Sequence, residues 1–340
     1  MSVALLAVCL SLLALCAVAQ EGQHRPPPAD AVRDHDGRGA LAVLRRDGLL
    51  FPFASFNRDS WRVTWPINLG PHLEIPLTRD AIPKGWWGTR SPDQWRAHLT
   101  SGDHGDHGDN VVLELGSPEV FPSFCGRRLG VRTTYRSDQP LPPVRVDPFP
   151  KDGLAISGGV PLEPIESVNR TSPEWPAMAV SLLKEFDRVE ARSIALVRAH
   201  TGWRHPLPAD KRRIYPVRLE SWYRSPSGEP GWTVSYVEAV RPYPPGPEDE
   251  GCGLETLVSG WLHHRDGQLM EGSQLSAKLT YCDRVGATYM LPFGRIRPKD
   301  QMYWVFQLSG WESEWYEVVS VRPEKVRYVL EVSGAGGRCF

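Results

Sequence analysis

The stretch Gly102-Asp103-His104-Gly105-Asp106-His107-Gly108-Asp109 places two imidazoles and three carboxylates within a few residues of one another. Imidazole nitrogen and carboxylate oxygen together suit borderline metals such as zinc or nickel, which makes Asp103, His104, Asp106 and His107 the metal-ligating candidates. The glycines that bring these groups close also leave the free backbone mobile, and each residue ordered on binding costs about 1–2 kcal/mol. The tract therefore reads first as a solvated loop grown from a Gly-Asp-His unit, and second as a metal site. His263-His264 is a weaker candidate, because adjacent residues of a strand point to opposite faces and cannot easily share one ion. Asp34-His35-Asp36-Gly37 opens like a calcium loop, but Arg38 takes the next ligand position and no Glu closes it.

Catalytic patterns are sparse. The chain has no Gly-x-Ser-x-Gly elbow and no phosphate-cradling or dinucleotide-binding glycine motif, so no cofactor is implied. His200 and His205 follow Asp187 and Glu190, which would make an acid–base pair if a helix gathered them; a polar loop after a helix is the plainer reading. Glu238, Glu255, Glu314 and Glu317 fall on strand candidates and could supply the carboxylates of a glycoside hydrolase, but their spacing singles out no pair. Aromatic platforms are the remaining chemistry. Trp61, Trp65, Trp86, Trp87 and Trp95 cluster in one segment, and Trp304, Trp311 and Trp315 in another. Tryptophans on alternating strands are expected to fill a core. Trp86 and Trp87 lie in the irregular run Pro83-Lys84-Gly85-Trp86-Trp87-Gly88 and are the candidate binding residues.

The elements that would carry these groups are mostly strands. Ala40–Leu44 and Leu49–Phe56 flank an Asp47-Gly48 turn suited to a hairpin, and Trp61, Val63 and Trp65 alternate onto one face of a third strand. Ser91-Pro92 with Gln94 has the form of a helix start, predicting a short helix through Trp95 and Leu99. Short strands are expected at 111–115, 128–135 and 154–157. One substantial helix is predicted from Ser172-Pro173-Glu174, because Trp175, Ala179, Leu182, Leu183, Phe186 and Val189 recur at helical spacing; it ends before Gly202. After residue 210 the pattern is β throughout, with strands at 214–223, 232–241, 254–263, 274–282, 287–294, 302–309, 313–321 and 325–333. Short turns separate them, which implies antiparallel meanders in a sandwich or barrel. The fold class expected is mainly β with one principal helix, with α+β as the alternative. The division expected is a β-rich region over 39–165, a helix and linker over 166–210, and an antiparallel β domain over 211–340.

Residues 1–19 are almost wholly apolar and uncharged and end in Ala17-Val18-Ala19 before Gln20-Glu21, the form of a cleavable export signal. A polar, proline-rich leader follows over 20–38. Cys9 and Cys16 would leave with the signal, and Cys125, Cys252, Cys282 and Cys339 would enter an oxidising compartment. Cys252 precedes one strand candidate and Cys282 ends its neighbour, so these two are predicted to pair. Asn169-Arg170-Thr171 forms a glycosylation sequon. A formal net charge of −1 gives no reason to expect nucleic acid, and no apolar stretch after the signal is long enough to span a membrane. These features point to a secreted or periplasmic protein that binds a partner without catalysis, a carbohydrate or a protein being the ligand class. An exported hydrolase of polysaccharide or peptide is the second reading, and a metal-binding protein the third.

Overall fold

A computed structural model describes residues 38–58, 60–66, 69, 76, 78–88, 94–99, 110–123, 126–142, 149–245, 253–272, 274–281, 288–310 and 313–333. The chain enters through β1 (Arg38–Arg45) and β2 (Leu49–Asn57), a hairpin whose turn residue Gly48 has φ 79°. Asp47 supports the turn by accepting a hydrogen bond from the Leu49 amide at 3.2 Å. There follow β3 (Ser60–Arg62), β4 (Trp95–Leu99), β5 (Asn110–Leu113), β6 (Leu115–Ser123), β7 (Gly126–Thr133) and β8 (Lys151–Ser157). Together these make an N-terminal sheet in the order β5-β4-β8-β1-β2-β7-β6, with β3 on β2.

Two expectations fail here. The helix predicted through Trp95 and Leu99 is instead β4, paired with β5 and β8. Trp95 and Leu99 are four residues apart, a spacing that fits both one helical turn and two strand repeats. The Ala97 between them is also buried, and only the strand reading places it with Trp95. The strand at Trp61 stops at Arg62; Val63 is 39% exposed, while Trp65 enters the core from the loop beyond.

Two short strands, β9 (Leu162–Glu163) and β10 (Glu166–Ser167), lead to α1 (Trp175–Thr201) and one further turn, α2 (Ala209–Arg212). Pro176 stands in the first turn of α1, where its missing amide costs nothing. Gly202 at φ 74° closes the helix, its amide bonding to Arg198. Then come β11 (Arg218–Pro226), β12 (Trp232–Pro242), β13 (Leu254–Arg265), β14 (Gln268–Leu269), β15 (Gln274–Tyr281), β16 (Tyr289–Ile296), β17 (Met302–Gly310), β18 (Ser313–Arg322) and β19 (Lys325–Ser333). Most lie within about two residues of expectation. β11 starts late because residues 213–217 leave α2 through a turn before the chain joins the sheet.

These strands divide into two sheets. The outer sheet runs β10-β11-β12-β13, with β14 and β15 on β13; the central sheet runs β19-β18-β17-β16-β9. Pairing between described strands is antiparallel. The layers stack in a definite sequence. Tyr303, Val305, Tyr316 and Val318 of the central sheet join the core of the N-terminal sheet. Met302, Trp304, Phe306 and Val319, from the other face, meet Val234, Tyr236 and Trp261 of the outer sheet. The outer sheet's second face, through Leu219, Val237, Val258 and Leu262, carries Met178, Leu182, Phe186 and Val189 of α1. β17 is thus buried on both sides, which explains its unbroken apolar run.

Residues 36–340 form one compact unit. Among the described residues, no helix is long and apolar enough to cross a membrane.

Candidate ligand-binding site

The two faces of β12 point into different surroundings. Val234, Tyr236 and Glu238 face the central sheet, whereas Thr233, Ser235, Val237, Ala239 and Arg241 face the helix. Toward the far end of α1, Arg241 clamps helix to sheet. Its guanidinium donates to Glu190 and Asp187, both at 2.7 Å, and lies over the Phe186 ring. The Tyr243 hydroxyl donates to the other Glu190 oxygen, and Arg212 approaches Glu190 at 3.5 Å. His205 packs edge-on to Tyr243 at 4.7 Å, and its Nδ1 accepts from the Leu207 amide. Burial, followed by repulsion from Arg212, lowers the His205 pKa and favours the neutral ring. The structure therefore gathers His205, Asp187 and Glu190 around one charged clamp, while His200 stays exposed on the last turn of α1. Each carboxylate already has a cationic or phenolic partner, which makes this a fastening of the helix.

Nearer the start of α1 the packing opens. A cavity of about 490 Å³ lies between helix and outer sheet, within the size range of small-molecule sites. Ala177 and Ser181, one helical turn apart, face small hydroxyl residues, Thr233 and Ser235, across it. Four short side chains cannot fill the gap that longer ones would close. Trp222 forms part of the wall, its indole N–H held by Ser235 Oγ at 3.0 Å, and Trp175 packs beside it at 6.3 Å.

The polar groups converge at one end. Arg224 donates twice to Glu166, at 2.8 and 2.7 Å, and once to Glu174. These bonds, Glu166 first, raise the pKa of the guanidinium and hold it charged. It also sits 5.4 Å from the Trp222 ring. His264, on β13 opposite Thr233, lines the same end. Burial, then the neighbouring His263 and Arg224, push its pKa down. The ring is thus neutral, and its Nε2 is buried without a hydrogen-bond partner among the described residues. A buried polar atom without a partner costs about 1–3 kcal/mol.

The pairing also separates the two adjacent histidines: His263 stands opposite Val234 on the closed face and His264 opposite Thr233 on the cavity face. They cannot act as one chelate. Among the described residues, no group of three His, Cys, Asp or Glu could hold a metal ion. Asp103, His104, Asp106 and His107 lie outside the described residues, as do Cys125, Cys252, Cys282 and Cys339.

The glutamate candidates are spread through the layers. Glu314 is buried between the N-terminal and central sheets, bonded to Lys151 and to the Tyr316 hydroxyl. Glu238 and Glu317 face the layer between central and outer sheets, at 1% and 5% exposure. Desolvation is the largest cause that raises each to about 7. Glu238 accepts the Met290 amide at 2.7 Å, and Glu317 accepts the Trp315 indole at 2.9 Å. Glu255 is buried on β13.

The aromatic candidates need a correction. Trp87 is only 2% exposed and packs against Trp65 and Trp95 at 4.8 and 6.2 Å, so it belongs to the core and cannot present its ring to a partner. Trp86 is half-buried beside it and is the one of the pair with exposed surface. The short helical turn over Lys84–Trp87 turns the second ring inward while the first stays at the rim. The residues that line the cavity went largely unmarked by sequence reasoning. The available signal was small side chains at 177 and 181 facing hydroxyls at 233 and 235, with a tryptophan on the next strand.

In comparisons with known proteins, the chain matches no family, no curated protein and no solved structure.

Proposed function

We propose that this chain is an exported binding protein that takes a neutral, hydroxyl-rich ligand, a carbohydrate, into the cavity between α1 and the outer sheet. The observation that carries the reading is the hollow of about 490 Å³ itself, with Trp222 in its wall and the hydroxyl residues Ser181, Thr233 and Ser235 around it. Sugar hydroxyls can exchange hydrogen bonds with the hydroxyl residues of the lining, and Trp222 offers apolar surface for the ring's C–H groups. Charge supports a neutral ligand. Arg224 is already matched by Glu166 and Glu174, and His264 is uncharged. An anionic ligand would have to displace those carboxylates. Export rests on residues 1–19, whose apolar run and Ala17-Val18-Ala19 end give the form of a cleavable signal. Cleavage there gives a secreted or periplasmic protein beginning at Gln20.

Calorimetric titration against a panel of neutral and acidic oligosaccharides tests the binding reading. Saturable binding to neutral members is expected, with loss of binding in Ser181→Leu, which fills the hollow, and in His264→Ala. Binding that survives both substitutions, or no binding by any neutral member, would remove the cavity as the site. Intact mass of the exported protein tests the cleavage separately, since retention of Met1 would exclude it.

A further inference from the structure

The sequon Asn169-Arg170-Thr171 takes no part in the cavity, yet its geometry is specific. It forms the turn between β10 and α1, and all three residues are exposed. Asn169 Oδ1 accepts two hydrogen bonds from Thr171, one from the backbone amide at 2.9 Å and one from the hydroxyl at 2.8 Å. This is an Asx turn closed a second time by the side chain two residues on. The two hydrogen bonds to Oδ1 fix the orientation of the carboxamide.

The surrounding backbone is fastened. The Val168 amide bonds to the Trp222 carbonyl at 2.9 Å, the Ser172 amide to the Asn169 carbonyl at 2.9 Å, and Arg170 Nη2 to the Glu220 carbonyl at 2.9 Å. The loop is therefore held to β11 while Asn169 and Thr171 stay exposed. A large substituent on Asn169 would meet solvent rather than the ladder. It would also stand beside β10, the edge strand of the outer sheet, where bulk hinders pairing with another chain.

We propose that Asn169 is a glycosylation site, modified on Nδ2 by transfer of an oligosaccharide from a polyprenyl-diphosphate donor in the secretory pathway. In that step the Nδ2–C1 bond forms and the bond between C1 and the diphosphate oxygen breaks. The polyprenyl diphosphate leaves with the electron pair, and one amide proton passes to a base of the transferase. Nothing is oxidised or reduced. The modification rests on the export reading above, because donor and transferase act only on a chain that enters that compartment.

The test is secretion of the full chain from eukaryotic cells, followed by intact-mass measurement before and after N-glycanase. The expected result is a mass loss on treatment, with the carboxamide at position 169 converted to a carboxylate. The modification should vanish in Asn169→Gln and Thr171→Ala and persist in Thr171→Ser. A secreted chain of unmodified mass would overturn the site. A second form of the chain, with residues 1–19 replaced by a proven secretory signal, separates the two ideas. Modification only in that second form would uphold the site and reject native export, and no modification in either form would reject the site.

Discussion

One sheet of this protein presents two unlike faces, and a single strand, β12, contributes to both. On the face toward the central sheet, Tyr236 and Trp261 meet Trp304 and Phe306, with the Trp261 and Trp304 rings 5.0 Å apart. Two carboxylates are sealed there, and their environment drives them toward neutrality. On the face toward α1, the apolar contacts of Leu182 and Phe186 give way to Ala177, Ser181, Thr233 and Ser235, and space opens. Polar groups occur on both faces. What distinguishes the helix face is missing volume lined by hydroxyl side chains. Strongly shifted titratable groups can mark a functional site, but here the most shifted carboxylates lie where no ligand can reach them.

The contrast is most easily broken by truncation. Trp261→Ala should cost about 3–5 kcal/mol, because the closed face cannot relax around so large a void. Ser181→Ala, on the open face, should stay within about 0.5 kcal/mol, since its hydroxyl only back-bonds to the Ala177 carbonyl. Urea unfolding of both variants measures the difference, and similar costs would show that the two faces are packed alike.

A pH series sharpens the same distinction. Glu238 and Glu317 have folded pKa values of about 7, raised from the ordinary 4.5. The folded protein therefore retains protons that the unfolded chain releases between those values. Their stabilising effect is full below about pH 4.5 and is lost as pH rises through 7, on the order of 3 kcal/mol for each at 1.36 kcal/mol per unit. Glu238→Gln should flatten this slope while keeping an acceptor for the Met290 amide. A wild-type slope unchanged by that substitution would mean that Glu238 is not held near neutrality.

A smaller effect concerns the edge of the outer sheet. The β13–β15 ladder ends at the pair Leu254 and Tyr281, so Cys252 and Cys282 follow closely on its last rung in sequence. A disulfide between them would close a loop of roughly 30 residues, worth on the order of 3 kcal/mol in the chain-entropy model and less where strain opposes it. Non-reducing peptide mapping should recover Cys252 joined to Cys282. A dominant Cys252–Cys339 or Cys125–Cys282 peptide would contradict the pairing.

Much of the fold was legible because strand signals are local. β12 declares itself through alternation, and β13 through the Arg265-Asp266-Gly267 turn that ends it, where Asp266 and Gly267 both take positive φ. β4 was misread because Trp95 and Leu99 satisfy two periods at once, and the neighbours that decide between them, β5 and β8, are distant in sequence. The three-layer stacking of sheets was not legible either. Nothing in the run Met302-Tyr303-Trp304-Val305-Phe306 says which two sheets will cover it. The site was the least legible part. His264 could be assigned to a face, but a cavity is an absence of side-chain volume, and Ala177, Ser181, Thr233 and Ser235 acquire meaning only when α1 is laid across β12. Trp86 and Trp87 drew attention by their adjacency, yet the turn that holds them buries one.

The most direct measurement is a proton–nitrogen NMR titration that follows indole N–H signals, assigned by single Trp→Phe substitutions. Trp222 reports the cavity through its bond to Ser235, and Trp304 reports the closed face through its bond to Ser225, each at 3.0 Å. With a neutral oligosaccharide that binds, the Trp222 indole signal should move saturably and the Trp304 signal should not. Movement confined to Trp86, with Trp222 unmoved at saturation, would contradict the assignment of the cavity as the binding site.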